Sequence, residues 1–96
     1  MPAYLIARVR VSDPVAYEKY KTLAAAAIEK HGGRYRARGG RTVTLEGEEE
    51  TGRVVIVEFP SLEQAQTFFR STEYQEAIAA RRGAATGQFI VVEGLK

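Results

Sequence analysis

The chain has 96 residues, of which 45% are hydrophobic and 27% are charged, and its formal net charge is +2. This length suits a single domain, residues 1–96, and the composition is that of a globular protein rather than a disordered one. The absence of cysteine excludes disulfides, thiolate nucleophiles and cysteine-ligated metals. No apolar run reaches the roughly 18 residues of a membrane span, and no signal-peptide pattern is visible, so we expect a cytoplasmic protein with no membrane partner.

Alternating apolar residues and helix-capping signals predict the elements along the chain. Asp13 followed by Pro14 forms an N-cap with a proline in the first turn, and Ser61 with Gln64 three residues later forms a capping box. The elements are a strand over 3–11, a helix from 14 to about 30, a strand from 34 that is interrupted at 39–40 and resumes over 42–45, a strand over 53–59, a helix from 62 that breaks and restarts near 70–72, and a strand over 88–93.

The order βαββαβ predicts an α+β, ferredoxin-like fold, in which a four-stranded antiparallel sheet carries both helices on one face. The third predicted strand is apolar on both faces, because Val54 and Ile56 alternate with Val55 and Val57, and the fourth shows the same pattern. An apolar sheet face that no helix covers is an interaction surface. We therefore expect a homodimer, joined through the sheet face by a two-fold axis.

Six short segments form an ordered pattern that covers nearly the whole chain. They are His31-Gly32-Gly33-Arg34-Tyr35, Arg38-Gly39-Gly40, Glu46-Gly47, Val57-Glu58-Phe59-Pro60-Ser61, Ser71-Thr72-Glu73-Tyr74-Gln75 and Val92-Glu93-Gly94. The pattern resembles the family called domain of unknown function 1330, within the dimeric α/β-barrel superfamily. The resemblance implies ferredoxin-like subunits that pair into a barrel, with a small-molecule cavity in each subunit between sheet and helices. It implies no particular activity, although similar folds include cofactor-independent oxygenases, isomerases and dechlorinating enzymes.

Four arginines crowd into eight positions on and after the second predicted strand: Arg34, Arg36, Arg38 and Arg41. Arginine binds carboxylate and phosphate through paired hydrogen bonds more readily than lysine does. Alternation places the first three on one side of an edge strand, where charge also hinders edge-to-edge aggregation. We predict that Arg38, which is followed by two glycines, pairs with Glu58 at the mouth of a cavity and binds an anionic ligand.

The only histidine, His31, ends the first predicted helix, where the helix dipole favours a positive imidazole. The alternative is that His31 or Glu58 moves a proton in a reaction. No second histidine and no carboxylate cluster with metal-ligand spacing is present, so we expect no metal site. The sequence also lacks a phosphate loop, a dinucleotide fingerprint and a nucleophile elbow, so we expect no cofactor.

Further candidate ligand contacts lie on the predicted helices. Tyr20 and Tyr74 suit a core, but their hydroxyl groups need polar partners, as in a small-ligand cavity. Ser71 lies where the second helix restarts, a position that helix capping also explains. Arg81 follows Tyr74 on the same helix face and is expected to point toward the cavity.

Three functions remain open on the sequence. The first is a dimeric enzyme or binder, free of cofactors, that acts on a small anionic or aromatic ligand. The second is a non-catalytic dimer whose pocket is filled by tyrosine and phenylalanine. The third, RNA binding, is disfavoured because the central strands carry aliphatic residues where stacking rings are needed, so we expect no nucleic acid partner.

Overall fold

The computed structural model describes all 96 residues of the protein, as four strands and three helices. Their order along the chain is β1 Ala3–Val11, α1 Pro14–Lys30, β2 Arg34–Arg38, β3 Arg53–Phe59, α2 Leu62–Arg70, α3 Thr72–Arg81 and β4 Ala85–Glu93. The strands form one sheet in the order β2-β3-β1-β4, and every neighbouring pair is antiparallel. With the helices on one face of this sheet, the predicted α+β, ferredoxin-like fold is confirmed.

Alternation along β1 separates a buried face of the sheet from an open one. Ala3, Leu5, Ala7 and Val9 are buried beneath the helices, whereas the residues between them are half-buried or exposed. Two of these four buried residues are alanines, which leave room above the sheet for large side chains from the helices. The core therefore consists of a largely aliphatic floor and an aromatic layer above it.

Phe68 of α2 lies at the centre of this aromatic layer. Its ring is fully buried, and its centroid is 4.5 Å from that of Tyr74, 5.0 Å from that of Phe59 and 6.2 Å from that of His31. Aromatic pairs at such distances add a preferred orientation to the area that they bury. One side chain thus joins the end of α1, both later helices and β3.

The open face of the sheet carries a row of three isoleucines. Ile6 of β1 pairs with Ile56 of β3 on one side and with Ile90 of β4 on the other. Ile90 is 50% exposed and Val92 is 49% exposed, because the helices pack on the opposite face.

None of the three helices has both the length and the apolar character that are required to cross a membrane.

A β-bulge in β2 changes which side of the sheet its arginines occupy. Arg34 pairs with Glu58. The register then shifts by one residue beyond position 35, so that Arg38 pairs with Val55. Arg36 is the extra residue, and it reverses the alternation beyond it. Arg38 therefore faces the helices, and the prediction that Arg34, Arg36 and Arg38 share one side is wrong.

The segment after β2 also differs from its prediction. β2 ends at Arg38, and residues 42–45 form no strand. Gly39 still donates its N–H to the carbonyl of Val54 at 2.9 Å, but its φ of 70° then turns the chain out of the ladder. Leu45 is left 93% exposed, and the predicted strand over 42–45 is wrong.

One element end and one helix cap differ from their predictions. β4 begins at Ala85 rather than at residue 88, because Ala85 pairs with Val11 at the far end of β1. At the start of α2, the Gln64 N–H donates to Ser61 Oγ at 3.0 Å as expected, but the Gln64 side chain donates to the carbonyl of His31 at 3.0 Å. Only half of the predicted capping box forms, and the other half caps the end of α1.

Candidate functional site

A small cavity lies between the buried face of the sheet and the aromatic layer. Its volume is about 30 Å³, which is enough for about two water molecules. Most of its lining is apolar, and its tyrosines are Tyr17, Tyr20, Tyr35 and Tyr74. The cavity predicted between sheet and helices is therefore present, but it is much smaller than the roughly 300 Å³ or more of a typical ligand pocket.

A hydrogen-bonded pair of phenols forms the polar part of the lining. The hydroxyl oxygens of Tyr20 and Tyr74 are 2.7 Å apart and buried, and the Tyr17 ring stacks on Tyr20 with a centroid distance of 5.0 Å. Burial raises the pKa of all three phenols above its ordinary value, because the charged phenolate would lose its water. The three hydroxyl groups therefore stay protonated at neutral pH and act as poor bases.

Three cations mark the boundary between this cavity and an open cleft beside it. Lys21 of α1, Arg38 of β2 and Arg53 of β3 line both the cavity and the cleft, whose volume is about 520 Å³. The rest of the cleft consists of Glu18, Thr22 and Ala25 of α1. The site is thus apolar inside, positive at its mouth and wide outside.

The three cations differ in what they contact. Lys21 forms an ion pair with Glu18 at 2.8 Å. The Arg38 guanidinium lies 4.4 Å from the centroid of the Tyr35 ring, a cation–π contact, and forms no ion pair. Arg53 also forms no ion pair, and its Nε is buried without a hydrogen-bond partner. Two of the three charges are therefore available to an anion.

Gly39 leaves space for the Arg53 side chain. The guanidinium group lies directly against this glycine, so that a Cβ there would collide with Nη1 and Cζ of Arg53. The positive φ of Gly39 also disfavours any other residue. The glycine that follows β2 thus leaves room for the arginine at the mouth of the cavity.

Arg81 lies behind the tyrosines, at the end of α3. Its Cζ is 4.8 Å from the centroid of the Phe89 ring and 5.4 Å from that of Tyr20. Its Nε, like that of Arg53, is buried without a hydrogen-bond partner. Arg81 was predicted to point toward the cavity as a ligand contact; it packs against rings that line the cavity and does not line the cavity itself.

The predicted ion pair between Arg38 and Glu58 is wrong. Glu58 lies between the buried residues Val57 and Phe59, so it faces the open side of the sheet, opposite the cavity. There its Oε1 accepts a hydrogen bond from Nε of Arg36, the bulge residue, at 2.8 Å. The structure therefore separates Glu58 from the cavity in which a ligand-binding or proton-transfer role was predicted.

Ser71 and His31 also lie outside the cavity lining. Ser71 caps α3, because its Oγ accepts the N–H of Tyr74 at 3.2 Å and donates to the carbonyl of Phe68 at 2.7 Å. His31 ends α1, and its Nε2 lies 3.2 Å from Oε1 of Glu73. Of the predicted site residues, Tyr20, Arg38 and Tyr74 meet at the cavity, and their roles there remain predictions.

The sequence reasoning missed Arg53, whose buried Nε lies at the mouth of the cavity. A signal for it was present, because Arg53 has the same parity along β3 as Val55 and Val57, which face the helices. Lys21 and Tyr35 were also missed. Tyr35 precedes the bulge, so simple alternation along β2 places it opposite the arginines and toward the helices.

The structure brings together no group of three or more histidine, aspartate and glutamate side chains that could hold a metal ion.

The fold and the cleft define a ferredoxin-like protein with a cationic mouth above an aromatic core. The chain belongs to the family described as Domain of unknown function (DUF1330), which matches residues 2–95. The resemblance noted from the sequence is thereby confirmed. No curated protein has a matching sequence.

Solved structures share this fold over nearly the whole chain. A protein of unknown function from Rhodopseudomonas palustris is 27% identical, with a TM-score of 0.76 over 99% of this chain and 83% of that one. SnoaB, a cofactor-independent oxygenase from Streptomyces nogalater, is 14% identical, with a TM-score of 0.70 over 99% and 94% of the two chains. A dimeric protein of unknown function and ferredoxin-like fold from Bacteroides fragilis is 16% identical, with a TM-score of 0.65 over 97% and 96%. The last two similarities concern the fold alone.

The ion pairs around Glu73 generate a prediction about acid stability. Hydrogen bonds from Lys30 and then His31 lower the pKa of Glu73 from 4.5 to about 2. The unfolded chain therefore binds a proton at this carboxyl group more readily than the folded protein, and stability falls as the pH drops from 4.5 toward 2. We expect Glu73→Gln to reduce this acid dependence, measured as the change in urea midpoint between the two ends of that range.

A matched control is Glu76→Gln on the same helix, because Glu76 is exposed and forms no ion pair. This variant should keep the acid dependence of the unchanged protein. An equal slope in the Glu73 and Glu76 variants would contradict the role assigned to the pairs with Lys30 and His31.

Proposed function

We propose that this protein is a homodimer that binds a small organic anion where the cleft meets the cavity. The anionic group would lie between Arg38 and Arg53, and the apolar part of the ligand would point toward the tyrosines. A single observation carries the proposal, namely that two guanidinium groups face one mouth and neither forms an ion pair.

The buried Nε of Arg53 supports an anion in particular. A buried donor without a partner costs roughly 1–3 kcal/mol, and more when the group is charged. Arg53 lies in the space that Gly39 leaves open, and it cannot be neutralised, because arginine does not lose its proton in proteins. A carboxylate or phosphate bound at the mouth would offset the charge of the Arg53 guanidinium and lower the repulsion among Lys21, Arg38 and Arg53.

Binding is better supported than turnover. The two groups predicted to move a proton, His31 and Glu58, lie outside the cavity, and the phenols that line it have raised pKa values. Glu18, the acid of the cleft, is already paired with Lys21. The cofactor-independent oxygenase from Streptomyces nogalater offers a precedent for catalysis in this fold, but no side chain of this cavity is an obvious general base.

The homodimer is proposed from the open face of the sheet. The isoleucine row of Ile6, Ile56 and Ile90 would be covered by the same row of a second copy, because a two-fold axis places identical surfaces against each other. The related structure from Bacteroides fragilis is described as dimeric, which supports this assembly.

A second candidate function is a dimer without a ligand. It is favoured by the small volume of the cavity, about 30 Å³, and by the hydrogen bond that Tyr20 and Tyr74 already make to each other. In that case the aromatic layer is a filled hydrophobic core, and the role of the chain is to form the dimer.

Thermal unfolding in the presence of anions distinguishes the two candidates. A ligand at about one hundred times its Kd adds about 2.7 kcal/mol of stability, which raises the Tm of a domain of this size by roughly 10–20 °C. We expect such a shift with at least one member of a panel of small carboxylates, 2-oxo acids and inorganic phosphate, and its loss in Arg53→Gln.

The matched control is Arg82→Gln, because Arg82 is an exposed arginine at the end of α3 that lies outside the cleft. This variant should respond to the anion as the unchanged protein does. Equal responses of the Arg53 and Arg82 variants would contradict the proposed site, and the absence of any response across the panel would favour the filled dimer.

The dimer is tested by light scattering. We expect twice the chain mass of 10.6 kDa at micromolar concentration, and the chain mass itself for Ile56→Asp, since a charge in the centre of an apolar interface lacks a partner. Circular dichroism should show that the variant keeps its helices. A monomer in the unchanged protein would contradict the covered-face proposal.

A further inference from the structure

The hydrogen-bonded tyrosines have one proton that their own bond does not use. In the pair formed by Tyr20 and Tyr74, one hydroxyl group donates to the other, and the accepting hydroxyl keeps its own O–H. Both residues line the cavity, and burial raises the pKa of each, so neither becomes a phenolate acceptor at neutral pH. A ligand acceptor that reaches this pair can therefore take the spare O–H as its hydrogen-bond donor.

The cavity also limits how much of a ligand can enter. A volume of about 30 Å³ admits one or two non-hydrogen atoms, whereas a dry cavity that takes up a benzene ring has a volume of about 150 Å³. The open cleft has no such limit, because its volume is about 520 Å³. Small aliphatic tails therefore fit this cavity, and aromatic rings do not.

The charges at the mouth restrict the remaining part of the ligand. Arg38 and Arg53 favour a carboxylate, which fits the planar fork of a guanidinium. Glu18 of the cleft is already paired with Lys21, so a ligand that carries an ammonium group next to its carboxylate would face both arginines without a free carboxylate to offset them. Amino acids are thus disfavoured by repulsion, and uncharged acceptor groups such as a carbonyl are favoured.

We infer that the ligand is a short-chain 2-oxo carboxylate, an inference that rests on the proposed anion site. Its carboxylate would lie at Arg38 and Arg53, its 2-oxo oxygen would accept the spare proton of the pair formed by Tyr20 and Tyr74, and a tail of one or two carbons would fill the cavity. No covalent bond forms or breaks in this proposal, which concerns binding specificity alone.

Titration calorimetry with 2-oxobutyrate and butyrate tests the inference, because the two acids share their charge and chain length and differ in the carbonyl group. We expect the unchanged protein to bind 2-oxobutyrate about three- to tenfold more tightly, the value of one hydrogen bond. We expect the double variant Tyr20→Phe and Tyr74→Phe to bind both acids equally, with a Kd for butyrate within about twofold of the original.

The double variant is the clean test of the tyrosine pair. A single replacement leaves the remaining hydroxyl without its partner and free to donate to the ligand, whereas replacing both partners of a buried hydrogen bond is often nearly neutral for stability. The control is Tyr4→Phe, because Tyr4 pairs with Glu58 on the opposite face of the sheet. This variant should keep the preference for 2-oxobutyrate.

The outcomes separate the inference from the proposed function. Equal binding of the two acids by the unchanged protein, or a preference that survives in the double variant, overturns the 2-oxo assignment and leaves the anion site standing. Tighter binding of benzoate than of butyrate overturns the size limit. If neither the carboxylates nor inorganic phosphate bind, both the inference and the proposed function are wrong.

Discussion

The packing of Phe68 between the helices and the sheet is the interaction on which the other features of this molecule depend. The ring packs against those of Tyr74, Phe59 and His31, and it is fully buried. Because β1 presents alanine at two of its four buried positions, the aromatic layer can approach the sheet closely. Where the layer and the sheet do not quite meet, the small cavity remains.

The same arrangement leaves one face of the sheet without helices. Ile6, Ile56 and Ile90 lie in a row there, and ionic groups surround them, including the pair of Arg36 and Glu58. The aromatic layer accounts for the interior of the subunit, and the isoleucine row accounts for its proposed pairing with a second copy. The cavity and the proposed interface are therefore on opposite faces of one sheet, so the proposed ligand binding and dimer formation would not compete for the same residues.

Local irregularity in β2 creates the cationic mouth. Without the bulge at Arg36, Arg38 would face away from the helices, and the cavity would open between Arg53 and Lys21 alone. Gly39 then ends the strand and leaves space for Arg53. Bulges commonly re-aim a side chain at the edge of a sheet, and here one brings a second unpaired guanidinium to the same opening.

The sequence predicted most of the fold because its signals are local. Asp13, Ser61 and Ser71 cap helices through hydrogen bonds to residues three positions away, and strict alternation separated the buried face of β1 from the open one. The bulge at Arg36 escaped prediction, because it is visible only in the register between two strands.

The site was predicted less well, because its contacts join residues that are far apart in the sequence. Tyr20 and Tyr74 were identified from their chemistry, but their hydrogen bond joins residues that are 54 positions apart. Glu58 was assigned to Arg38 on an assumed hairpin register, and one inserted residue was enough to give it Arg36 as a partner instead. Long-range pairing of this kind depends on the register of the whole sheet, which local sequence patterns do not determine.

The central claim is that the unpaired guanidinium groups at the mouth of the cavity hold an anion, and the Arg53 side chain reports on it directly. The measurement is a two-dimensional ¹H–¹⁵N spectrum of the arginine Nε–H groups during a titration with 2-oxobutyrate and, separately, with inorganic phosphate. Because the anion would contact the same guanidinium group at the mouth, the Arg53 Nε–H signal should shift and saturate, while the signal of exposed Arg82 stays in place. Saturable binding of either anion that leaves the Arg53 signal unmoved would contradict the account.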